Sequence, residues 1–131
     1  MMCSKYEFCK WMPYEKKYWC TAPREPGVME TRDASTKEEL FTTGTNGGSL
    51  WTSLERKDPT LHPGTPSEYE KQLVESGGKL EVRYAVTDSV DKAIDLRNFL
   101  LHQHIEEHGR LPLGHKLTPP KPNDEWTEKA S

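Results

Sequence analysis

Long apolar runs are absent from this 131-residue chain. No segment approaches the roughly 20 apolar residues of a membrane-spanning helix, and the stretch Met1-Met2-Cys3-Ser4-Lys5-Tyr6-Glu7 lacks the apolar core of a secretory signal. The expectation is a soluble chain inside the cell, in the cytoplasm or within an organelle. Cysteine is scarce. Cys3, Cys9 and Cys20 are odd in number and irregularly spaced, which excludes a disulfide framework. The three read as reduced thiols. A zinc site of three cysteines and one histidine would be the alternative, but no Cys-x2-Cys pair supports it, and no metal or other cofactor is expected. An excess of positive charge is missing too: a net charge of −3 and an isoelectric point near 6.0 argue against nonspecific nucleic-acid binding as the main activity, leaving room only for a local basic patch. With 33% hydrophobic and 30% charged residues and 10 prolines, the chain can build one modest core with attached tails.

What is abundant is aromatic and lies at one end. Tyr6, Phe8, Trp11, Tyr14, Tyr18 and Trp19 are half of the chain's aromatic residues, interleaved with Lys5, Lys10, Lys16 and Lys17. Pro13 interrupts any helix there, so residues 1–22 read as an irregular arm whose rings pack either on the chain's own domain or on a partner. Both readings stay open. Leu117 to Ser131, with Pro119, Pro120 and Pro122, reads as an extended polar tail anchored by Trp126.

Between these ends, residues 23–116 alternate element signals. Gly27 to Asp33 reads as a strand, Ser35 to Glu38 as a turn and Glu39 to Thr43 as the antiparallel return. Asn46-Gly47-Gly48 breaks the pattern ahead of a short helix over about Ser49 to Arg56, with Leu50 and Leu54 on one face and Trp51 beside them. Asp58 to Gly64 is a loop. Thr65 with Glu68 makes a capping box with Pro66 at the first helical position, Tyr69, Leu73 and Val74 give that helix its apolar side, and Gly77-Gly78 ends it. Leu80 to Val86 alternates as a third strand. Asp88 is set to cap a long helix over about Ser89 to His108, with Asp91 in its first turn. Val90, Ala93, Ile94, Leu100, Leu101 and Ile105 form its expected apolar stripe, with Ile94 and Leu101 buried. Arg97 falls in the gap of that stripe, at the margin of the buried face, either snorkelling past the sheet edge or paired with a carboxylate from another element, Glu30 being one possible partner. Asp95 should point to the other side of the helix. His104 and His108, four apart, share a helix face and read as solvated or capping side chains. The expected fold is α/β: a small three-stranded, mainly antiparallel sheet flanked by about three helices, with extended N- and C-terminal arms.

From about Pro23 to His115 the order of these elements, with Gly27-Val28-Met29, Thr42-Thr43-Gly44, Leu100-Leu101 and His108-Gly109-Arg110-Leu111-Pro112, resembles a GIY-YIG nuclease domain. That family carries Gly-Ile/Val-Tyr on the first strand and Tyr-Ile-Gly on the second. Gly27 and Gly44 are kept, but Met29 and Thr42 stand where the tyrosines would be. The family's catalytic arginine position falls near Ser53, with Arg56 about a turn further on, and its metal-binding glutamate position, placed against Leu100-Leu101, holds Arg97. The resemblance also implies that Leu111-Pro112-Leu113 folds back on the sheet.

The reaction needs a carboxylate to hold a divalent cation. A guanidinium is always charged and only donates, so Arg97 would repel the ion. The resemblance therefore implies a catalytically inactive domain, not an enzyme, acting as an accessory or adaptor subunit of a larger assembly. Tyr6, Phe8, Trp11, Tyr14, Tyr18, Trp19 and Trp126 would bind protein partners. The alternative is a nucleic-acid-binding module in which Arg32, Arg56, Arg83, Arg97 and Arg110 contact phosphates and Trp51 or an arm aromatic stacks on a base. Glu30, Asp33, Glu55 and Asp95 would weaken that patch. An active nuclease would have to recruit Glu30 or Asp95.

Overall fold

The computed structural model describes residues 3–62 and 67–129, with the side chain of Cys3 excepted; Pro63, Gly64, Thr65 and Pro66, among them the expected opening of the second helix, lie outside the described residues. The elements are β1 (Cys3–Tyr6), β2 (Met12–Pro13), α1 (Lys16–Trp19), β3 (Gly27–Asp33), β4 (Glu39–Gly44), α2 (Leu50–Lys57), α3 (Glu68–Glu75), β5 (Leu80–Val86), α4 (Val90–His108) and β6 (Glu125–Glu128). The chain is α/β, with four described helices, an antiparallel sheet in the order β2-β5-β3-β4 and a separate parallel pair, β1-β6. No described helix is long and apolar enough to cross a membrane.

The expected three strands form the centre of the larger sheet, with β3 between β4 and β5. The arm adds what the sequence did not suggest. Met12 and Pro13 pair with Val82 and Glu81, making a fourth strand, and Pro13 is tolerated because it sits on an edge. The C-terminal tail is not merely extended either: Trp126 lies opposite Ser4 in the β1-β6 pair, and Lys129 N donates to Tyr6 O at 2.7 Å.

The sheet is covered on both faces. Met29, Leu40, Leu54, Leu80 and Val82 pack with Tyr14, Trp19 and Ala22 on one side, where Leu73, Val74 and Leu113 join them. Val28 and Ala85 meet Ala93, Leu96 and Leu100 of α4 on the other, closed by Tyr6 and Trp126. Two glycines are required by how closely these layers approach. A Cβ on Gly27 would lie 2.2 Å from Ala85 O and 2.7 Å from Leu50 Cδ1, and one on Gly44 would lie 3.0 Å from Ala93 O. Gly44 is thus where α4 crosses the sheet.

That crossing corrects the expected stripe of α4. The line Ala93, Leu96, Leu100 is turned into the core, while Val90, Ile94 and Ile105 are only half-buried; Leu101 is buried as expected. The cap is Ser89, whose Oγ accepts from Lys92 N at 3.1 Å, in place of Asp88. In α3 the cap is Ser67, with Glu70 closing the box, and Tyr69 faces solvent. Pro112 is fully buried and Leu113 packs on the core, returning the chain to the sheet edge.

Candidate functional site

The register of β4-β3-β5 sets Thr42, Glu30 and Arg83 in one row across the α4 side of the sheet. Glu30 is 3% exposed. Arg83 Nε and Nη2 donate to its Oε1 at 2.9 and 2.7 Å, and Thr42 Oγ1 donates to its Oε2 at 3.2 Å. The next row holds Glu39, Arg32 and Glu81, where Arg32 Nε and Lys37 Nζ reach Glu81 Oε1 at 2.8 and 3.3 Å. The arm lies over these charges: the Arg83 guanidinium packs 4.0 Å from the Phe8 ring and 4.6 Å from the Trp11 ring, and Arg32 lies 4.1 Å from the same indole. Burial, and then the neighbouring Glu39, raises the Glu30 carboxyl against the pull of Arg83 and Thr42.

Glu30 therefore belongs to Arg83 and is not the partner of Arg97 that the sequence offered as one possibility. The Arg97 guanidinium donates to Asn98 Oδ1 at 3.2 and 2.9 Å, forms no ion pair among the described residues, and is held below its ordinary pKa by burial. Asp95 is held by the tail and not by Arg97. Its carboxylate is buried and accepts from Asn123 N (2.6 Å), Asp124 N (3.0 Å) and Trp126 Nε1 (2.8 Å), with Lys92 paired to Asp124 beside it. Those bonds and Lys92 lower its pKa against the effect of burial.

The family-type positions do not converge on one point. Met29 is buried with Leu54 on one face of the sheet, whereas Thr42 meets Glu30 on the other. Gly44 and Ser53 line a polar groove of about 370 Å3 between β4 and α2, together with Asn46, Gly47, Arg56 and Lys57, and no carboxylate lines it. Arg56 is exposed and Lys57 lies 4.9 Å from the Phe41 ring. The other arginines offered for phosphate contact are engaged: Arg32 with Glu81, Arg83 with Glu30, and Arg110 with Glu38 at 2.6 Å. Trp51 is stacked under Arg24 and edge-on to Trp19.

Of the aromatics offered to a partner, Tyr6, Tyr14, Trp19 and Trp126 are buried in the chain itself. Their polar tips are met internally where bonds are formed: Tyr14 OH donates to Leu54 O at 2.8 Å and Trp19 Nε1 to Asp58 Oδ2 at 2.9 Å. Phe8 and Trp11 are half-buried on the arginines, and Tyr18 is 42% exposed. Cys9 and Cys20 are free thiols. His104 and His108 do share a face, their rings 4.3 Å apart, with His104 Nδ1 2.7 Å from Arg110 O. Among the described residues no group of three or more His, Cys, Asp or Glu side chains is placed to hold a metal ion.

One polar residue went unnoticed in the sequence. His115 Nε2 accepts from Thr42 N at 3.0 Å, its ring stacks 4.3 Å from Phe41, and burial followed by the Arg97 charge pushes its pKa down to about 4. With Gly114 N donating to Leu40 O at 2.7 Å, it covers the otherwise open edge of β4. A lone histidine in a Pro/Gly-flanked segment carries no local signal of this, because its partner is 73 residues away. No family model matches the chain, and no curated protein or solved structure matches it.

Proposed function

We propose that this chain is a catalytically inactive GIY-YIG-like domain that serves as an accessory or adaptor subunit and binds protein partners in a larger assembly. The observation that carries the inactive reading is the engagement of both acids nearest the family-type positions. Glu30 is occupied by Arg83 and Thr42, and Asp95 by the tail, while Arg97 stands at the glutamate position. Support for the scaffold comes from a β3-β4 hairpin followed by α2, α3, β5 and α4, with Gly27 and Gly44 at close approaches between the sheet and its helices. Among the large apolar side chains left in solvent, which also include Leu61, Tyr69 and Val86, this reading assigns to partners Tyr18 in the arm and Leu117, 85% exposed, at the start of the tail. Affinity capture of the tagged chain tests it: protein subunits should co-purify, survive high salt, and be lost with Tyr18→Ala or Leu117→Asp. A chain that captures no protein, or whose partners ignore both changes, contradicts the reading.

A second reading has one specific observation behind it, the groove that carries Arg56 and Lys57 and no carboxylate. It would hold a phosphodiester without cleaving it. Oligonucleotide binding that weakens steeply with salt and disappears in Arg56→Ala/Lys57→Ala would favour this class over a protein partner.

A further inference from the structure

We propose that Glu30, Glu39 and Arg83 form a proton-controlled latch that holds the N-terminal arm on the sheet in acid and loosens it as the pH rises toward neutral. The geometry makes Arg83 a shared cation. Its Nη2 lies 2.7 Å from Glu30 Oε1 and 3.9 Å from Glu39 Oε1, while Arg32 and Lys37 are both drawn to Glu81. The charged or titratable groups facing this pair are Arg32 from β3, Arg83 and Glu81 from β5, Tyr6 from β1, and His104 and Glu107 from α4; His104 Nε2 is 3.9 Å from Glu39 Oε2. One proton on the two carboxylates leaves a single negative charge for the single guanidinium. Removing it sets two carboxylates against the shared Arg83, with Arg32, already paired to Glu81, the further cation acting on Glu39 and with Glu30 almost wholly out of water.

The arm packs on the cation that the two carboxylates share. Phe8 and Trp11 pack their rings against the Arg83 guanidinium, and Cys9 N to Tyr84 O and Tyr14 N to Leu80 O, both 3.0 Å, tie the arm to β5 close by. Solvating an ionised Glu30 requires those rings to move. Burial first, and Glu39 second, raises Glu30 from the ordinary 4.5 to about 7, and burial raises Glu39 as well. The closed arm therefore retains a proton that the open arm releases. For one proton the closed-to-open ratio falls by at most about tenfold per pH unit across that window and is level above it.

Amide hydrogen exchange on the intact chain tests the latch, with rates corrected for the intrinsic pH dependence of exchange. Protection of the Cys9 and Tyr14 amides should fall several-fold per pH unit from about pH 5 to 7, while the Leu96 amide of α4 is unchanged. Glu30→Gln should flatten the dependence. Glu39→Gln, at a more open position, should weaken it and decides the matter if Glu30→Gln does not fold; His104→Gln should leave it in place. Flat protection in the wild type, an undiminished slope in the carboxylate variants, a slope abolished by His104→Gln, or parallel loss at Leu96 would overturn the latch.

Discussion

Arg83 carries more of the sheet's polar face than any other side chain, since it neutralises Glu30, reaches toward Glu39 and supports Phe8 and Trp11. Removing it leaves a carboxylate that is 3% exposed with no cation against it. Arg83→Ala is therefore expected to cost about 3–5 kcal/mol in urea unfolding, and Glu30→Gln, which keeps the shape and loses the charge, less than half as much. Equal losses would mean that packing, not charge, dominates the row. His115 gives a pH signature of opposite sense to Glu30. Its folded pKa is depressed to about 4, so its contribution is complete above its ordinary 6.5 and is lost as the pH falls through 4. His115→Gln keeps an acceptor for Thr42 N without titrating, and thermal unfolding of that variant between pH 6.5 and 4 should lose less stability than the wild type. An identical decline in both would remove His115 from the acid response.

At the scale of elements, α4 does two jobs: its Ala93, Leu96, Leu100 line packs on the sheet, and Asp95 beside that line holds the tail. Asp95→Ala should free residues 117–129 without melting α4. The expected signs are a red-shifted Trp126 fluorescence, proteolysis of the tail accelerated at least about tenfold, and little change in helical circular dichroism, because the lost bonds to a charged acceptor are worth about 1.5–3 kcal/mol each at most. An unchanged cleavage rate would show that β1-β6 pairing alone retains the tail. The sequence made β3, β4, β5, α2 and α4 legible to within about a residue, since alternation, helical spacing and caps are local signals. It left β1-β6 invisible, because Cys3 pairs with Glu125 across nearly the whole chain and neither strand is long enough to show a period. The capping box expected for α3 is Thr65 with Glu68, an expectation that passes over the same spacing two residues on, Ser67 with Glu70. The second is used, and its Glu70 also accepts from Thr31 Oγ1 at 3.0 Å, a tertiary contact no local pattern encodes. The Glu30–Arg83 pair was hidden for the same reason: only the strand register, which sets Glu30 opposite Arg83, reveals it.

Taken whole, the molecule is a two-faced sheet whose ends wrap back on it: the aromatic arm covers the charged rows, and Trp126 closes the α4 layer. The aromatic richness that suggested a partner surface in the sequence is mostly accounted for by this wrapping, which leaves Tyr18 and Leu117 outside. The central claim is the proposal that this chain does not cleave nucleic acid. With Met29 and Thr42 on opposite faces, Arg97 where the proposed resemblance would put the glutamate, and Glu30 and Asp95 both engaged, Arg97→Glu alone should create no activity, because a metal ligand without a base gives only part of the stabilisation cleavage needs. The direct measurement is cleavage of supercoiled, branched and single-stranded DNA by the intact chain with magnesium or manganese. No metal-dependent cutting is predicted for the wild type. Cutting that requires the metal and disappears in Glu30→Ala or Asp95→Ala would contradict the claim and make that carboxylate catalytic.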